Sequence, residues 1–145
     1  MTIAVDTNIL VHAHRSDSPF HQVASARVRE LATGASTWAI PWPCLYEFFA
    51  VVTHPRIYQP PTPLANALDQ IDAWLESPSV VLLTEDDGHW PTLRALLAAS
   101  LTAGPRLHDA RIASLCITHR ITTLWTADRD FSRYPQLRVT NPLVG

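Results

Sequence analysis

The chain has 145 residues, 47% hydrophobic and 17% charged, with a formal net charge of −2. That length fits one ordinary domain able to bury a core, and the composition excludes a disordered chain. No apolar run approaches the roughly 20 residues of a bilayer-crossing helix. Residues 1–6 carry neither a basic leader nor a long apolar segment, so one domain over 1–145, cytoplasmic and without membrane contact, is expected.

In chain order, Ile3 to Val5 reads as a strand, followed at once by a helix through Asn8 to Ala13. Ser18-Pro19 offers an N-cap and first-turn pair for a helix reaching Thr33, with Gly34 as its stop. Thr37 to Ile40 reads as a second strand and Pro43 to Thr53 as a helix ended by His54-Pro55. Pro60, Pro61 and Pro63 punctuate a loop before a helix over Leu64 to Glu76, and Val80 to Leu83 is a third strand. Helices are expected over His89 to Ala103 and Leu107 to Arg120, separated by Gly104-Pro105. Thr122 to Trp125 and Leu137 to Val139 complete about five strands. Strands separated by helices imply an α/β/α sandwich, a central parallel sheet with helices on both faces. In such sheets ligands gather at the carboxyl ends of the strands.

The charge is unevenly spread. All 11 basic residues are arginine, and residues 106–138 hold six of them against three acids, a formal +3. Residues 57–93 hold six acids and no arginine. The acidic block reads as solvated helix faces and loops, whereas the arginine-rich window suits a phosphate-contacting surface. Cys44 and Cys116 are far apart, with no paired-cysteine spacing, and read as buried free thiols. The seven histidines show no metal-ligand spacing.

Four acids fall where chemistry is expected. Asp6 ends the first strand, Glu47 lies inside the helix after the second, Asp109 opens the helix leading into the fourth, and Asp128 follows the fourth. Each has an ordinary alternative. Asp6 suits a helix cap, Asp109 gains from a helix macrodipole, and one of Asp128 and Asp130 suits a turn. Glu47 stands in an almost wholly apolar helix, Pro43 to Val52, with no evident solvated face, so a burial-driven functional role is expected for it. Two unit charges about 4 Å apart repel by about 4 kcal/mol at an effective dielectric near 20. A divalent cation relieves that repulsion, and all-oxygen ligands favour Mg²⁺ or Mn²⁺ over zinc.

These residues stand in a recognisable order. Val5-Asp6-Thr7-Asn8-Ile9-Leu10, Tyr46-Glu47-Phe48, His108-Asp109-Ala110 and Leu124 to Phe131 resemble the four acidic motifs of PIN domains. Val51 to Arg56 and the ending Leu137 to Leu143 resemble a VapC-type toxin subset. The resemblance implies a PIN-like fold and endonucleolytic RNA cleavage by metal-activated water, in VapC toxins directed at structured RNAs such as tRNA or rRNA. It implies that Asp6, Glu47, Asp109 and Asp128 form the catalytic quartet, with Asp6, Asp109 and Asp128 on Mg²⁺ or Mn²⁺. Asn8 and Thr126 would orient the carboxylates by hydrogen bonds, and Asp130 would be an auxiliary acid. A homodimer and a cognate VapB-type antitoxin are implied as partners. Because an acidic groove repels RNA, Arg111, Arg129 and Arg133 are the expected phosphate contacts.

Other parallel α/β enzymes also place an aspartate after strand one. Phospho-aspartate phosphatases and receiver domains want a second N-terminal acid and a lysine, and this chain has no lysine. With four glycines and neither a dinucleotide fingerprint nor a phosphate-binding loop, a nucleotide-binding reading fails. Two readings compete with the toxin: a non-catalytic PIN module that binds RNA or protein, and a PIN nuclease serving RNA processing or DNA repair.

Overall fold

The alternation of apolar and helical segments resolves, in a computed structural model describing residues 2–145, into one parallel sheet. The strands are β1 (Ile3–Val5), β2 (Trp38–Pro41), β3 (Val80–Leu83), β4 (Thr123–Trp125) and β5 (Arg138–Thr140), in spatial order β3-β2-β1-β4-β5. Every neighbouring pair is parallel, with Ile3 opposite both Trp38 and Thr123. The helices are α1 (Thr7–His14), α2 (His21–Thr33), α3 (Trp42–Val52), α4 (Leu64–Leu75), α5 (His89–Ser100) and α6 (Leu107–Thr118).

The expected five-stranded α/β/α architecture is therefore present, with local differences. The helix expected from Ser18-Pro19 begins at His21, because the Ser18 hydroxyl instead accepts the Phe20 amide at 3.1 Å in a turn. α5 stops three residues early, at Ser100, where its C-cap Leu101 takes the left-handed conformation (φ 52°) with its side chain in solvent. α6 ends at Thr118, and Arg120 reverses the chain at φ 60°. The segments Gly104–Arg106 and Arg129–Arg133 form single 3₁₀ turns that apolar periodicity does not signal.

The strand order explains where a site can form. β1 to β2 and β2 to β3 step in one direction, so right-handed crossovers place α1 to α4 on one face. The connection from β3 to β4 steps back across the sheet and places α5 and α6 on the other. The crossovers diverge between β1 and β4, the switch point at which open α/β sheets bind ligands. Beneath it lies the core, where Ala4, Val5, Trp38, Ile40 and Leu124 of the strands are buried against Leu10, Phe48 and Leu115 of the helices. Trp38 and Trp74 are core residues, whereas Trp90 remains exposed. Both cysteines are free and fully buried, as expected. Among the described residues no helix is long and apolar enough to cross a membrane.

Candidate active site

β1 ends by donating the Asp6 amide to the Trp125 carbonyl at 3.0 Å, which ties the mouth of β1 to that of β4. The Asp6 carboxylate is then 6% exposed and surrounded by donors. Its Oδ1 accepts the Thr7 amide at 2.8 Å and the Cys44 thiol at 3.6 Å. Its Oδ2 accepts the Thr126 hydroxyl at 2.8 Å and the Asn8 amide at 3.2 Å. Asn8 also donates to Thr126 Oγ1 and accepts the Ala127 amide, both at 3.0 Å, so it clips the loop after β4 onto α1. The Asp128 amide completes the network by donating to Thr126 Oγ1 at 3.0 Å. Burial raises the Asp6 carboxyl to about 6, against the hydrogen bonds from Thr126 and Thr7, and the neighbouring Glu47 charge adds to the rise.

Glu47 corrects the burial reasoning that selected it. Its side chain is exposed, as are Tyr46 and Ala50 beside it, because this strip of α3 faces an open groove. An apolar residue type on the helix wheel does not make a face dry when the neighbouring element stands away from it. The carboxylate is nevertheless fixed, since Glu47 Oε2 accepts the Thr7 hydroxyl at 3.0 Å.

Asp109 arrives from the opposite face of the sheet, in the first turn of α6. Its carboxyl is raised by partial burial first, then by the charges of Asp128, Glu47 and Asp130, with Arg133 acting the other way. Asp109, Asp128 and Asp130 offer oxygens within 4.8 Å of one another, the acidic grouping among the described residues that a cation could share. Asp6 does not belong to that grouping, its two oxygens being turned to Thr7, Cys44, Asn8 and Thr126. The turn that brings Asp130 in is made by Asp128, whose Oδ1 accepts the Asp130 amide at 2.9 Å. All four acids of the expected quartet line one cavity of about 610 Å³, together with Asn8.

The arginines divide. Arg111 lines the cavity, but its Nε is bonded to Glu85, which tethers it to the wall. Arg133 is half-buried and acts electrostatically on Asp109, and Arg129 is exposed. Neither lines the cavity. Residue-type reasoning passed over Thr7, Cys44 and Glu85. Thr7 stands between Asp6 and Asn8 in the sequence, and Cys44 precedes Glu47 by one helical turn, so both were within reach of spacing arguments. Nothing local marks Glu85 within an acidic block.

The model of the PIN domain family matches residues 3–137. Ribonuclease VapC48 of Mycobacterium tuberculosis is 31% identical over 145 residues, covering 100% of both chains. Ribonuclease VapC43 of the same species is 33% identical over 143 residues, covering 99% of this chain and 97% of the other. The chain belongs to the VapC ribonuclease toxin family of PIN domains. The VapC fold is shared with solved structures at lower identity. VapBC2 from Rickettsia felis, bound to a DNA fragment from its promoter, aligns with TM-score 0.68 at 22% identity, covering 97% and 98% of the two chains. VapC20 of M. tuberculosis, described as a sarcin-ricin loop cleaving toxin, aligns at TM-score 0.63 and 17% identity, covering 90% and 92%.

Proposed function

We propose that this chain is a Mg²⁺- or Mn²⁺-dependent endoribonuclease and the toxin of a toxin–antitoxin pair, with the whole activity in one domain. The observation that carries this reading is the convergence of Asp6, Glu47, Asp109 and Asp128, from four separate segments, on one cavity at the switch point. The relatives named as ribonucleases over full length supply the reaction class. A binding-only module has no need of four carboxylates around one groove, where they repel the polyanion.

The residues fit a divalent cation. The donors are all carboxylate oxygens, a hard set, and Asp109 is repelled by Asp128, Glu47 and Asp130, with Arg133 acting the other way. Asp109 and Asp128 would hold the ion, with Asp130 beside them and Asp6 at the buried side of the cavity. When bound, Mg²⁺ or Mn²⁺ activates water, polarises the phosphodiester and offsets developing negative charge. The protein's own part is positional. Thr126 and Asn8 fix Asp6, Thr7 fixes Glu47, and Asp128 shapes the turn that presents Asp130. Arg129 and Arg133, outside the cavity, and Arg111 at its wall are the phosphate contacts.

The substrate is a structured RNA such as tRNA or rRNA, a VapB-type antitoxin is the controlling partner, and the toxin works in the cytoplasm as a homodimer. The solved neighbours crystallised as VapBC complexes support the antitoxin. The test is cleavage of total RNA by wild type and Asp6→Ala, each with Mn²⁺, Mg²⁺ or chelator. Cation-dependent cleavage by wild type alone is expected. Equal cleavage by both proteins, or none by antitoxin-free wild type with cation present, overturns the assignment.

A further inference from the structure

The cavity continues beyond the acids. One turn past Asn8 on α1 it is lined by Val11 and His12, one turn past Glu47 on α3 by Val51, and it takes in Tyr46 and Tyr58. Neither tyrosine is a core residue, Tyr46 being 63% exposed and Tyr58 half-buried. Each ring is nevertheless backed from behind. Tyr46 stacks on Trp42 with centroids 5.9 Å apart and planes inclined by 23°. Tyr58 lies under the Arg15 guanidinium, 4.3 Å from its ring centroid.

The Arg15 backing is itself rigid. This C-cap of α1 is almost wholly buried, and two of its nitrogens donate to the Asp17 carboxylate at 2.9 and 2.6 Å. A third donates to Thr62 Oγ1 at 3.2 Å. Tyr58 is thus held at the C-terminal end of α1, two turns from the acids, with one face committed to a cation. A cation behind an aromatic ring draws on its quadrupole while the opposite face stays available for stacking.

Electrostatics states what this shelf is for. The cavity lining carries four carboxylates against the single guanidinium of Arg111, which Glu85 already engages. The phosphate contacts assigned to Arg129 and Arg133 lie outside the cavity, so inside its acidic lining contacts insensitive to charge are the ones best suited to hold a base. Stacking of a base on an aromatic face contributes about 1–3 kcal/mol per base and needs no counter-charge. We propose that Tyr46 and Tyr58 are the two stacking plates of a nucleobase site, so that this VapC engages RNA whose bases next to the cleaved phosphate are unpaired.

The proposal rests on the ribonuclease reading but is tested apart from it, by binding. Fluorescence anisotropy would follow a short labelled single-stranded RNA, the same sequence as a duplex, and single-stranded versions with one abasic nucleotide at successive positions. Wild type is expected to prefer the single strand and to lose about tenfold or more in affinity when the stacked base is removed. Tyr46→Leu and Tyr58→Leu should each lose a similar factor, with the salt slope unchanged, and should not be weakened further by the matching abasic nucleotide. Tyr58→Phe keeps the ring and should bind like wild type. If Tyr58→Leu is misfolded by loss of the Arg15 contact, exposed Tyr46 carries the test.

Equal binding of single strand and duplex, or Leu variants that bind and respond to abasic RNA as wild type does, overturns the proposal. In the latter case the tyrosines would face a protein segment. Wild type that cleaves total RNA with unaffected tyrosine variants sinks the stacking site alone. Absence of any cleavage sinks the ribonuclease reading instead.

Discussion

The two halves of the site are built on opposite principles. Around Asp6 everything is satisfied: a buried carboxylate accepts from Thr7, Cys44, Asn8 and Thr126, and the strand mouth is closed by backbone hydrogen bonding. Asp109, Asp128 and Asp130 bring carboxylate oxygens within 4.8 Å of one another, and Asp109 feels the charges of the other two, with Arg133 acting the other way. The first half is organised before any ligand arrives, and its cost is desolvation. On the proposed function the second awaits a cation, and at Asp109 its cost is partial burial first and the repulsion of neighbouring carboxylates second. On that proposal Asp6 supplies precision of placement and the trio supplies cation capture.

The most severe way to break the comparison is Asp6→Asn, which retains shape but removes the charge. Cleavage of RNA should fall by about a thousandfold, since a fixed charge in a preorganised site contributes several kcal/mol to the transition state. Single-turnover cleavage at saturating Mn²⁺ checks this. A fall that rising Mn²⁺ restores would assign Asp6 to cation affinity, merging the two halves.

Asp6 also makes the first half sensitive to pH. Its folded carboxyl titrates near 6 against an ordinary 3.8, so the native state holds the proton more tightly than the unfolded chain. The stability this contributes is complete below the ordinary value and is lost as pH rises through about 6. Metal-free protein should therefore lose about 2–3 kcal/mol on this account between about pH 4 and pH 7. Denaturant melts of wild type and Asp6→Asn across that range isolate the contribution. A difference between the two that does not change with pH would refute it. Smaller again is Thr126→Val, which keeps the volume but removes the hydroxyl that serves Asp6, Asn8 and Asp128. A ten- to hundredfold loss of activity is expected, as for other groups that orient ligand carboxylates. Steady-state cleavage at several Mn²⁺ concentrations measures it.

How much of this was legible in the sequence follows the same division. The apolar strands and the helix order fix a parallel sheet, and the carboxyl-end rule leads directly to Asp6 and Asp128. The acids were readable as positions, yet their environments were not. Glu47 was selected for burial and is exposed, because helix periodicity reports residue type and not whether a neighbour covers the face. Asp6 is the helix cap it looked like, its carboxylate accepting the Thr7 amide, but it is also the buried member of the quartet, hydrogen-bonded to Thr126, 120 residues away. The Arg111 tether to Glu85 joins two windows that composition had set apart as basic and acidic, a pairing across the fold that no local pattern encodes.

The gentlest test bears on the second half. The charged form of Asp109 is disfavoured by partial burial and by the charges of Asp128, Glu47 and Asp130, with Arg133 acting the other way. In metal-free protein Asp109→Asn should therefore be slightly more stable than wild type, by about 0.5 kcal/mol, the scale of partly exposed charge interactions. With Mg²⁺ the order should invert, because wild type gains stabilisation from binding that the variant has lost. Thermal melts with chelator and with Mg²⁺ give both signs in one experiment. The inversion matters more than its size: a group kept for packing would destabilise when replaced in either condition. A variant less stable than wild type in chelator would mean that the trio is held together by the fold alone, and the contrast with Asp6 would disappear.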